Sequence, residues 1–386
     1  VCLNVGCIPS KSLLKNAEVA HTLRERGKDF GFSFYFLKLD YGVAAKRSRQ
    51  VSDRLVKGVG FLMRKNNIAV FMGEARLTKP TTVSVKDKDG TPAPGAGAGE
   101  TTELTAKNVI VATGASAAVP GAWKVDGEKV VTYLEAILQE KLPKSAIVIG
   151  SGAIGVEFST VWNSYGVDVT VVEMLPRLIP LEDEEVSKEL KKEFEKRGIK
   201  CLVGNKVESV EATAKGVKVK VSAEGKETTL EAEQALVAIG FRPNSKGLGL
   251  EEVGVKINER GFVEINEKMQ TSVPNIYAIG DVTGKLMLAH VGSAMGIVAA
   301  ENIAGAETVT LDYEMMPRAT YSQPQVASFG LTEAQAKERG YNIKVGRFPF
   351  QPNGKALGLG DYAGFVKIVV DEKYGEILGA HMIGPE

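Results

Sequence analysis

The sequence predicts an α/β protein in which parallel-sheet domains precede the start of an α+β domain. The stretch AIVIGSGAIGVEFSTVWNSYGVDVTVVE reads as strand, glycine turn, helix and strand, which is the repeating pattern of a parallel sheet. Three apolar segments, VIVATG, ALVAIG and IYAIGD, end in glycine, as strands do where the carboxyl edge of a sheet approaches a ligand. From about Asp312 the pattern changes to a predicted strand hairpin, FVKIVVDEKYGEILGAHMIG, and a short helix, FGLTEAQAKERG.

Composition limits the possible classes of protein. A chain of 386 residues is too long for one ordinary core, so two or three domains are expected. The net charge of +1 gives little electrostatic support for a nucleic-acid or membrane surface, and no apolar run reaches the roughly 18 residues of a membrane span. Three cysteines exclude a disulfide scaffold and favour a reducing compartment, the cytoplasm or an organelle matrix.

Helices and strands alternate along the chain. Periodic apolar residues predict helices from Pro9 to Gly27, from Tyr41 to Asn66 and from Glu182 to Arg197. From Ile68 the pattern predicts short strands, in IAVFMGEARL, TTVSVKD and ETTELTAKNVIVATG. The tract DKDGTPAPGAGAG between two of these strands predicts a flexible hairpin loop.

The glycine turn from Gly150 to Gly155 has the spacing GxGxxG between a strand and a helix. Its first glycine permits a tight turn, Gly152 lets backbone approach a pyrophosphate, and Gly155 permits close contact of helix and strand. Free N–H groups at the helix start would bind the phosphates. Glu173 ends the next strand about 20 residues on, as in known dinucleotide sites. The motif predicts a three-layer Rossmann-like domain, and a glycine turn used only for packing is the alternative.

Two acidic residues carry further information. A carboxylate at Glu173 accepts hydrogen bonds from ribose hydroxyls and repels a 2′-phosphate, so it favours NAD over NADP, although Arg177 could weaken this preference. A solvated strand end is the alternative for Glu173. Glu157 lies among apolar helical neighbours. It is therefore either a solvated helix charge or a partly buried acid that needs a basic partner.

Cys2 and Cys7, in VCLNVGCIPSK, have three possible roles. As zinc ligands they lack partners, because Cys201 and the three histidines show no CxxC or HxxxH spacing. A passive disulfide would be unusual in a reducing compartment. A redox pair fits best, since a helix that begins near Pro9 and the charge of Lys11 would both stabilise a thiolate at Cys7. Cys201 is predicted to be an ordinary core residue.

A thiol pair and NAD need an intermediary, because hydride transfer and thiol–disulfide exchange are different chemistries. A flavin connects them, so FAD is expected as a second cofactor. The chain contains a single GxGxxG with strand and helix in place. A second such motif is expected before Val1.

Six segments of the chain resemble the flavin-dependent disulfide reductases, which are pyridine nucleotide–disulfide oxidoreductases. They are VCLNVGCIPSK, GSGAIGVEF, VTVVEMLPR, AIGFRPN, AIGDVTGKLMLAH and GEILGAHMIGP, and the resemblance covers essentially the whole chain. CLNVGCIPSK and LMLAH are specific, whereas the glycine motifs are shared by the wider superfamily. The resemblance implies Rossmann-like domains for FAD and NAD, followed by the start of an α+β dimerisation domain.

The resemblance also implies a role for each matching residue. Cys2 matches the interchange thiol that attacks the substrate, and Cys7 matches the thiolate that lies against the flavin. Lys11 matches the lysine near the flavin N5 edge, and Glu157 matches its acidic partner. Contacts with FAD are implied for Lys11, Gly73, Thr113, Gly114, Asp281, Met287, Leu288, Ala289 and His290. Contacts with NAD are implied for Gly150, Ser151, Gly152, Ala153, Ile154, Gly155, Val156, Glu157, Glu173, Val207 and Gly240.

The family pattern extends beyond both ends of the sequence. The FAD-binding βαβ unit is expected before Val1, and an HPT segment with a catalytic His–Glu pair is expected after Glu386. We therefore expect a truncated fragment that is inactive by itself. His381 and Glu386 have the spacing of that pair, but they lie in the GAHMIGP strand end and are rejected as the base. His290 is expected on the cofactor side, and His21 is expected to be a helix surface or packing residue.

The resemblance divides the chain into four segments. These are an FAD-binding domain at 1–118 without its first βαβ unit, an NAD-binding domain at 119–246, a return to the FAD-binding domain at 247–311, and a partial dimerisation domain at 312–386.

The reaction implied by the resemblance is the oxidation of protein-bound dihydrolipoamide by NAD, through the Cys2–Cys7 disulfide and FAD. The implied partners are the lipoyl domain of a 2-oxo acid dehydrogenase complex and a second copy of the chain, with no nucleic acid, membrane or metal ion. Two alternatives stay open. One is another flavin disulfide reductase, of the mercuric or glutathione reductase type, and the other is a non-catalytic NAD-binding or assembly chain.

Overall fold

The computed structural model describes residues 1–86 and 101–385. The loop predicted at DKDGTPAPGAGAG and the terminal Glu386 lie outside these residues. The described chain forms two compact units, the first of residues 1–56, 117–240 and 314–385, and the second of residues 57–86, 101–116 and 241–313.

Nine α-helices occur in the described residues, and none of them is long and apolar enough to cross a membrane. They are α1 (Cys2–Val5), α2 (Cys7–Glu25), α3 (Tyr41–Lys65), α4 (Tyr133–Leu138), α5 (Ala153–Ser164), α6 (Glu184–Lys196), α7 (Ala289–Ala304), α8 (Glu333–Glu338) and α9 (Gly354–Leu359). The three long helices predicted from periodicity are therefore confirmed as α2, α3 and α6. Asp183 is the N-cap of α6. Its carboxylate accepts the N–H of Glu185 at 3.1 Å, which satisfies one free donor of the helix.

Twenty strands occur in the same described residues. They are β1 (Glu74–Lys79), β2 (Thr82–Lys86), β3 (Thr101–Thr105), β4 (Val109–Val111), β5 (Ala115–Ala117), β6 (Val130–Val131), β7 (Ser145–Ile149), β8 (Asp168–Glu173), β9 (Lys200–Val203), β10 (Lys206–Thr213), β11 (Gly216–Ala223), β12 (Lys226–Ala232), β13 (Gln234–Val237), β14 (Phe241–Pro243), β15 (Ile276–Ala278), β16 (Arg318–Thr320), β17 (Gln325–Gly330), β18 (Ile343–Pro349), β19 (Phe365–Asp371) and β20 (Ile377–Gly384).

The prediction of a strand that begins at Ile68 is wrong for the first half of that segment. Residues 68–72 adopt no strand, and the strand begins only at Glu74. Ile68, Val70 and Met72 are exposed, and no strand of the described chain pairs with them. An apolar run becomes a strand only where a neighbour completes its hydrogen bonds, so the pattern alone overestimated this element.

The first unit contains the parallel sheet that the sequence predicts. Its strand order is β6-β13-β7-β8-β9, with every neighbouring pair parallel. Ala146 and Val148 of β7 face a core formed with α2, α5 and α6, whereas Ile147 and Ile149 face the antiparallel sheet β10-β11-β12. Because β7 is buried on both faces, its sequence is a continuous apolar run. This three-layer arrangement confirms the Rossmann-like prediction.

The last part of the first unit is an antiparallel sheet with strand order β16-β17-β20-β19-β18. Its β19 and β20 form the predicted hairpin, with one register from Phe365 opposite Ile383 to Val369 opposite Gly379 and a register shift before Val370. The predicted short helix is α8, which begins with a capping box between Thr332 and Gln335. The change to an α+β pattern after Asp312 is confirmed.

The second unit contains the antiparallel sheet β1-β2-β3 and the parallel pair β4 and β15. Lys86 of β2 lies opposite Thr101 of β3, so these two strands are antiparallel neighbours. Leu77, Val111, Leu250 and Ile276 belong to a separate buried cluster of this unit. The pair β4 and β15 ends at the segments VIVATG and IYAIGD.

Candidate functional site

Cys2 and Cys7 form a disulfide, with their Cα atoms 4.6 Å apart. Cys2 is the first residue of α1 and Cys7 is the first residue of α2, and Gly6 between them provides no side-chain cap. Both cysteines are half-buried, so burial does not distinguish them. The N-terminus of α2 carries a partial positive charge, which favours a thiolate at Cys7 when the disulfide opens.

Lys11 lies one turn along α2 from Cys7 and is paired with Glu157 of α5. The ammonium nitrogen is 2.9 Å from each carboxylate oxygen of Glu157. The backbone N–H of Tyr321 donates a third hydrogen bond to Glu157 Oε1, also at 2.9 Å. Glu157 is 6% exposed, so its interpretation as a solvated helix charge is wrong, and it is a buried acid with a basic partner.

Lys11 also lines a cavity of about 510 Å³ in the first unit. Leu14, Thr22, Tyr321 and Pro324 contribute to the same wall. The ammonium of Lys11 lies 4.7 Å from the centre of the Tyr321 ring, a cation–π distance. The side chain therefore extends from a buried carboxylate to an open cavity, and it keeps 35% of its surface exposed.

The GxGxxG turn connects β7 to α5 beside the strand β13. Gly150 has φ +98°, and a Cβ at this position would collide with the carbonyl oxygen of Ala238. A Cβ on Gly155 would collide with the carbonyl oxygen of Gly150. Gly152 is different, because a Cβ there would meet nothing within 4 Å. Gly150 and Gly155 are thus required by the fold, whereas Gly152 leaves open space at the uncapped N-terminus of α5.

Glu173 ends β8 beside this turn and is 8% exposed, so the alternative of a solvated strand end is wrong. Its Oε2 accepts the N–H of Ser151 at 2.9 Å and the hydroxyl of Ser151 at 2.8 Å. Its Oε1 accepts the N–H of Leu175 at 2.8 Å. A carboxylate offers about four acceptor positions, so a further donor can still be accommodated.

The other residues predicted to contact NAD lie near the same edge of the parallel sheet. Gly240 follows β13 with φ +123°, and Val207 is the second residue of β10, four residues after the end of β9. Because β13, β7 and β8 are parallel neighbours, their carboxyl ends meet at one edge. From β7 the chain continues to β8 and β9 on one side, whereas β13 lies on the other side of β7. The strand order therefore reverses between β7 and β13, and ligands of such sheets bind at this point. Ala153, Ile154 and Val156 form the first turn of α5 there.

The residues predicted to contact FAD, apart from Lys11, lie in the second unit. A Cβ on Gly73 would collide with the carbonyl oxygen of Lys86, whereas Gly114 has φ +71° and open space around it. Thr113 donates its hydroxyl to the carbonyl oxygen of Asn244 at 2.7 Å. Asp281 lies in a short 3-10 helix, and burial raises the pKa of its carboxyl. Met287 and Leu288 lead into α7, which begins with Ala289 and His290 and has no side-chain cap.

Cys201 and His21 both have pKa values that burial shifts. Cys201 is buried in the core, as predicted, and burial raises the pKa of its thiol to about 12. Burial and then the charges of Arg197, Arg24 and Arg26 lower the pKa of His21 to about 4. No cluster of metal-ligating residues occurs in residues 1–86 and 101–385.

His381 is fully buried in β20, and its Nε2 lies 2.9 Å from the carbonyl oxygen of Leu331. It is therefore a structural residue of the sheet.

Sequence reasoning missed two features of this site. The N–H of Tyr321 bonds to Glu157, but a backbone donor leaves no signal in a sequence. Ser151 was identified only as one position of the motif, although its hydrogen bonds with Glu173 join the glycine turn to the end of β8. The second feature has a detectable signal, since a hydroxyl stands between two glycines about 20 residues before an acid.

Two family models match the chain. The model described as pyridine nucleotide-disulphide oxidoreductase matches residues 1–296, and the model described as the dimerisation domain of that family matches residues 316–386. The dihydrolipoyl dehydrogenase of Mycobacterium leprae is 54% identical over 387 residues, and that of Corynebacterium glutamicum is 50% identical over 390 residues. Each alignment covers 100% of this chain and 81% of the relative.

Solved structures give the same architecture. LpdA from Mycobacterium tuberculosis matches with a TM-score of 0.89 at 27% identity. The HOCl-induced flavoprotein disulfide reductase RclA from Escherichia coli matches with a TM-score of 0.84 at 25% identity. Both matches cover 100% of this chain and 81% of the solved chain.

Proposed function

Since the chain belongs to the pyridine nucleotide-disulphide oxidoreductase family, we propose that it is a dihydrolipoyl dehydrogenase, which oxidises protein-bound dihydrolipoamide with NAD. Membership of the family gives an oxidoreductase that uses FAD and NAD(H), and this confirms the two cofactors predicted from the sequence. The dimerisation-domain match supports a homodimer. The observation that carries the proposal is the Cys2–Cys7 disulfide at the N-terminus of α2.

The disulfide supplies the chemistry that a dithiol substrate needs. We propose that one substrate thiolate attacks Sγ of Cys2, so that a mixed disulfide forms and Cys7 leaves as a thiolate. The second substrate thiolate then attacks the substrate sulfur of the mixed disulfide and releases Cys2. The substrate becomes a cyclic disulfide, and the two cysteines carry its two electrons. The N-terminus of α2 and the nearby charge of Lys11 stabilise the thiolate of Cys7.

Residues of this chain fit a part of each cofactor. At the NAD site, Gly152 leaves room for a pyrophosphate at the start of α5, and Glu173 can accept a ribose hydroxyl. In the second unit, the half-buried carboxyl of Asp281 and the uncapped start of α7 are suited to hydroxyl groups and phosphate, respectively. When bound, FAD and NAD supply the hydride transfer that cysteine thiols cannot perform.

The paired Lys11 and Glu157 have a positioning role in this proposal. Because Glu157 is buried and accepts three hydrogen bonds, it fixes the ammonium of Lys11 beside α2. A fixed cation one turn from Cys7 contributes a constant positive potential. We assign the other FAD and NAD contacts to the residues predicted above, with domain boundaries after residues 118, 246 and 311.

The partner and the location follow from the substrate. We propose that a lipoyl domain of a 2-oxo acid dehydrogenase complex presents the dithiol, in the cytoplasm or an organelle matrix. The three cysteines of the chain are compatible with such a reducing compartment.

The proposal is tested with the flavin-loaded full-length protein and dihydrolipoamide, by following NADH formation. Cys2→Ser should abolish turnover while a long-wavelength charge-transfer band remains, because the Cys7 thiolate is still present. Cys7→Ser should remove both. Cys201→Ser is the control, and it should retain turnover because this thiol is buried in the core. Loss of the band in Cys2→Ser with turnover intact would contradict the assignment of the two thiols.

A second assay distinguishes this proposal from an enzyme of the glutathione reductase type. The full-length protein should reduce NAD with dihydrolipoamide and should not oxidise NADPH with glutathione disulfide, because a 2′-phosphate would approach the buried carboxylate of Glu173. The reverse preference would overturn the proposed substrate and cofactor.

A further inference from the structure

Ser151, the middle residue of the Gly150–Gly152 turn, is fully buried, and each of its polar groups is hydrogen-bonded. Its N–H and hydroxyl donate to Glu173, and its carbonyl oxygen accepts the N–H of Ile179 at 3.1 Å. The turn is therefore held by the segment that follows β8. Whatever fixes Ile179 also fixes one wall of the dinucleotide site.

Ile179 has an unusual backbone conformation. Its φ is +39°, a region in which a β-branched residue is a steric outlier. Its side chain is 3% exposed, and its carbonyl oxygen accepts the N–H of Glu182 at 2.9 Å and the hydroxyl of Ser187 at 3.4 Å. Such a conformation persists only where its surroundings determine it, so the start of α6 holds Ile179 in place.

The start of α6 is in turn anchored by the antiparallel sheet. Lys367 Nζ lies 2.9 Å from Oδ1 and 3.1 Å from Oδ2 of Asp183, the residue that caps α6. Asp183 Oδ2 also accepts the N–H of Glu333 at 3.3 Å. Asp183 follows Glu182 directly, so a fixed carboxylate at 183 restrains the N–H that bonds to Ile179.

Lys367 is built for this anchoring role. It is 1% exposed in the middle of β19, and its ammonium also contacts Glu185 Oε1 and Glu333 Oε2, each at 2.7 Å. Burial by itself lowers the pKa of Lys367, but hydrogen bonds with Glu185, Glu333 and Asp183 outweigh burial and raise the pKa. The ammonium has three N–H groups and three carboxylate partners, so its donors are fully used.

We infer that Lys367 and Asp183 are positioning residues for the glycine turn from Gly150 to Gly155, called the dinucleotide turn below. They act through the contacts described above, from Glu182 to Ile179 and from Ile179 to the carbonyl of Ser151. Neither residue needs to touch the nucleotide. They order the turn before binding, so that the free energy of ordering it is not taken from the binding free energy. The inference rests on the proposed use of NAD, and it assigns to the antiparallel sheet a role in nucleotide affinity.

The test compares two variants that each remove one carboxylate partner of Lys367. Asp183→Asn keeps an N-cap for α6 but weakens the anchor, because asparagine is also a good N-cap residue. Glu333→Gln removes a charge from the same ammonium without touching α6. For both, the dissociation constant of NADH is measured by fluorescence titration, and amide hydrogen exchange is measured in a peptide that covers residues 150–156. KM for NAD and kcat are measured on the flavin-loaded protein.

Asp183→Asn should weaken NADH binding and raise KM for NAD by about fivefold, with kcat nearly unchanged and faster exchange in the 150–156 peptide. Glu333→Gln should leave these quantities close to those of the unaltered protein, even where its melting temperature falls. Equal effects of the two variants, or no effect of Asp183→Asn on NADH binding and exchange, would overturn the inference. If the full-length protein without substitutions binds NADH but does not turn over the dithiol, the proposed substrate is contradicted and the positioning role is not.

Discussion

Lys11 of α2 and Glu157 of α5 form a two-point ion pair, with Nζ 2.9 Å from each carboxylate oxygen across a separation of 146 residues. The pair links the helix that carries Cys7 to the helix that begins at the dinucleotide turn. Because Glu157 is buried, its carboxylate depends on this cation, and removal of its charge leaves Lys11 without its counter-charge.

Glu157→Gln is expected to lower the free energy of unfolding by about 2 kcal/mol, the range of a hydrogen bond to a charged group. The loss is less than for a fully buried pair, since Lys11 keeps 35% of its side chain exposed. The measurement is a urea titration at pH 7. Glu18→Gln is the control, because its 2.8 Å pair with Lys15 is exposed and should contribute less than about 1 kcal/mol. Equal losses would contradict the importance of burial.

Lys367→Met is expected to cost about 3 kcal/mol of stability, because it leaves Asp183, which is 2% exposed, without its cation. Chemical denaturation measures this difference. Lys344→Met on the neighbouring strand β18 removes an exposed ion pair with Glu372 and should have little effect. A loss below about 1 kcal/mol in Lys367→Met would mean that the carboxylates find water or other partners.

The carboxylates around Lys367 should make the free energy of unfolding fall at acidic pH. The hydrogen bond from Arg347, helped by Lys367, lowers the pKa of Glu185 from 4.5 to about 2, and hydrogen bonds from Lys337 and Lys367 lower the pKa of Glu333. Groups with a depressed pKa stabilise the fold above their unfolded pKa, and this stabilisation is lost as pH falls through the folded pKa. Between pH 4.5 and 2 the unaltered protein should therefore lose stability more steeply than Lys367→Met. Urea titrations at several pH values check this, and parallel curves would contradict it.

The glycines of the dinucleotide turn should respond differently to alanine. Gly155→Ala forces a Cβ against the carbonyl of Gly150, so it should destabilise the fold by about 2 kcal/mol or more. Gly152 has φ −65° and open space, so Gly152→Ala should fold normally. Its Cβ would nonetheless stand where a pyrophosphate approaches, and the affinity for NADH should fall about tenfold. Thermal unfolding and fluorescence titration measure the two effects. Equal behaviour of both variants would contradict the assignment.

Glu173→Gln should reduce the preference for NAD over NADP about tenfold, which corresponds to the repulsion between one nearby carboxylate and a 2′-phosphate. The ratio of kcat/KM for the two nucleotides is the measurement. Asp168→Asn is the matched control, because it removes a charge from the other end of β8. If the control changes the ratio as much, the effect comes from net charge and not from position.

Much of the fold follows from local patterns in the sequence. Apolar periodicity was sufficient for α2, α3 and α6, because the stripe that a helix buries repeats within the helix itself. The glycine turn was predictable because local backbone geometry requires glycine at some of its positions, such as Gly150 with its φ of +98°. Strands were less certain, and the run from Ile68 to Met72 shows the reason. A strand depends on a neighbour whose position is not written in its own residues.

The sequence by itself determined the dinucleotide turn, the cysteine pair and the layered α/β architecture, because spacing along the chain controls backbone conformation and helix faces. Only the tertiary structure decided which acidic residues surround Lys367 and how deeply Glu157 is buried. The local pattern left Glu157 open between a solvated charge and a paired acid, and the resemblance implied its pair with Lys11. Lys367, which is paired with Asp183 across 184 residues, was not identified from the sequence. Charges so far apart meet only after helices and sheets have packed, and burial then turns them from solvated groups into contacts that fix the site.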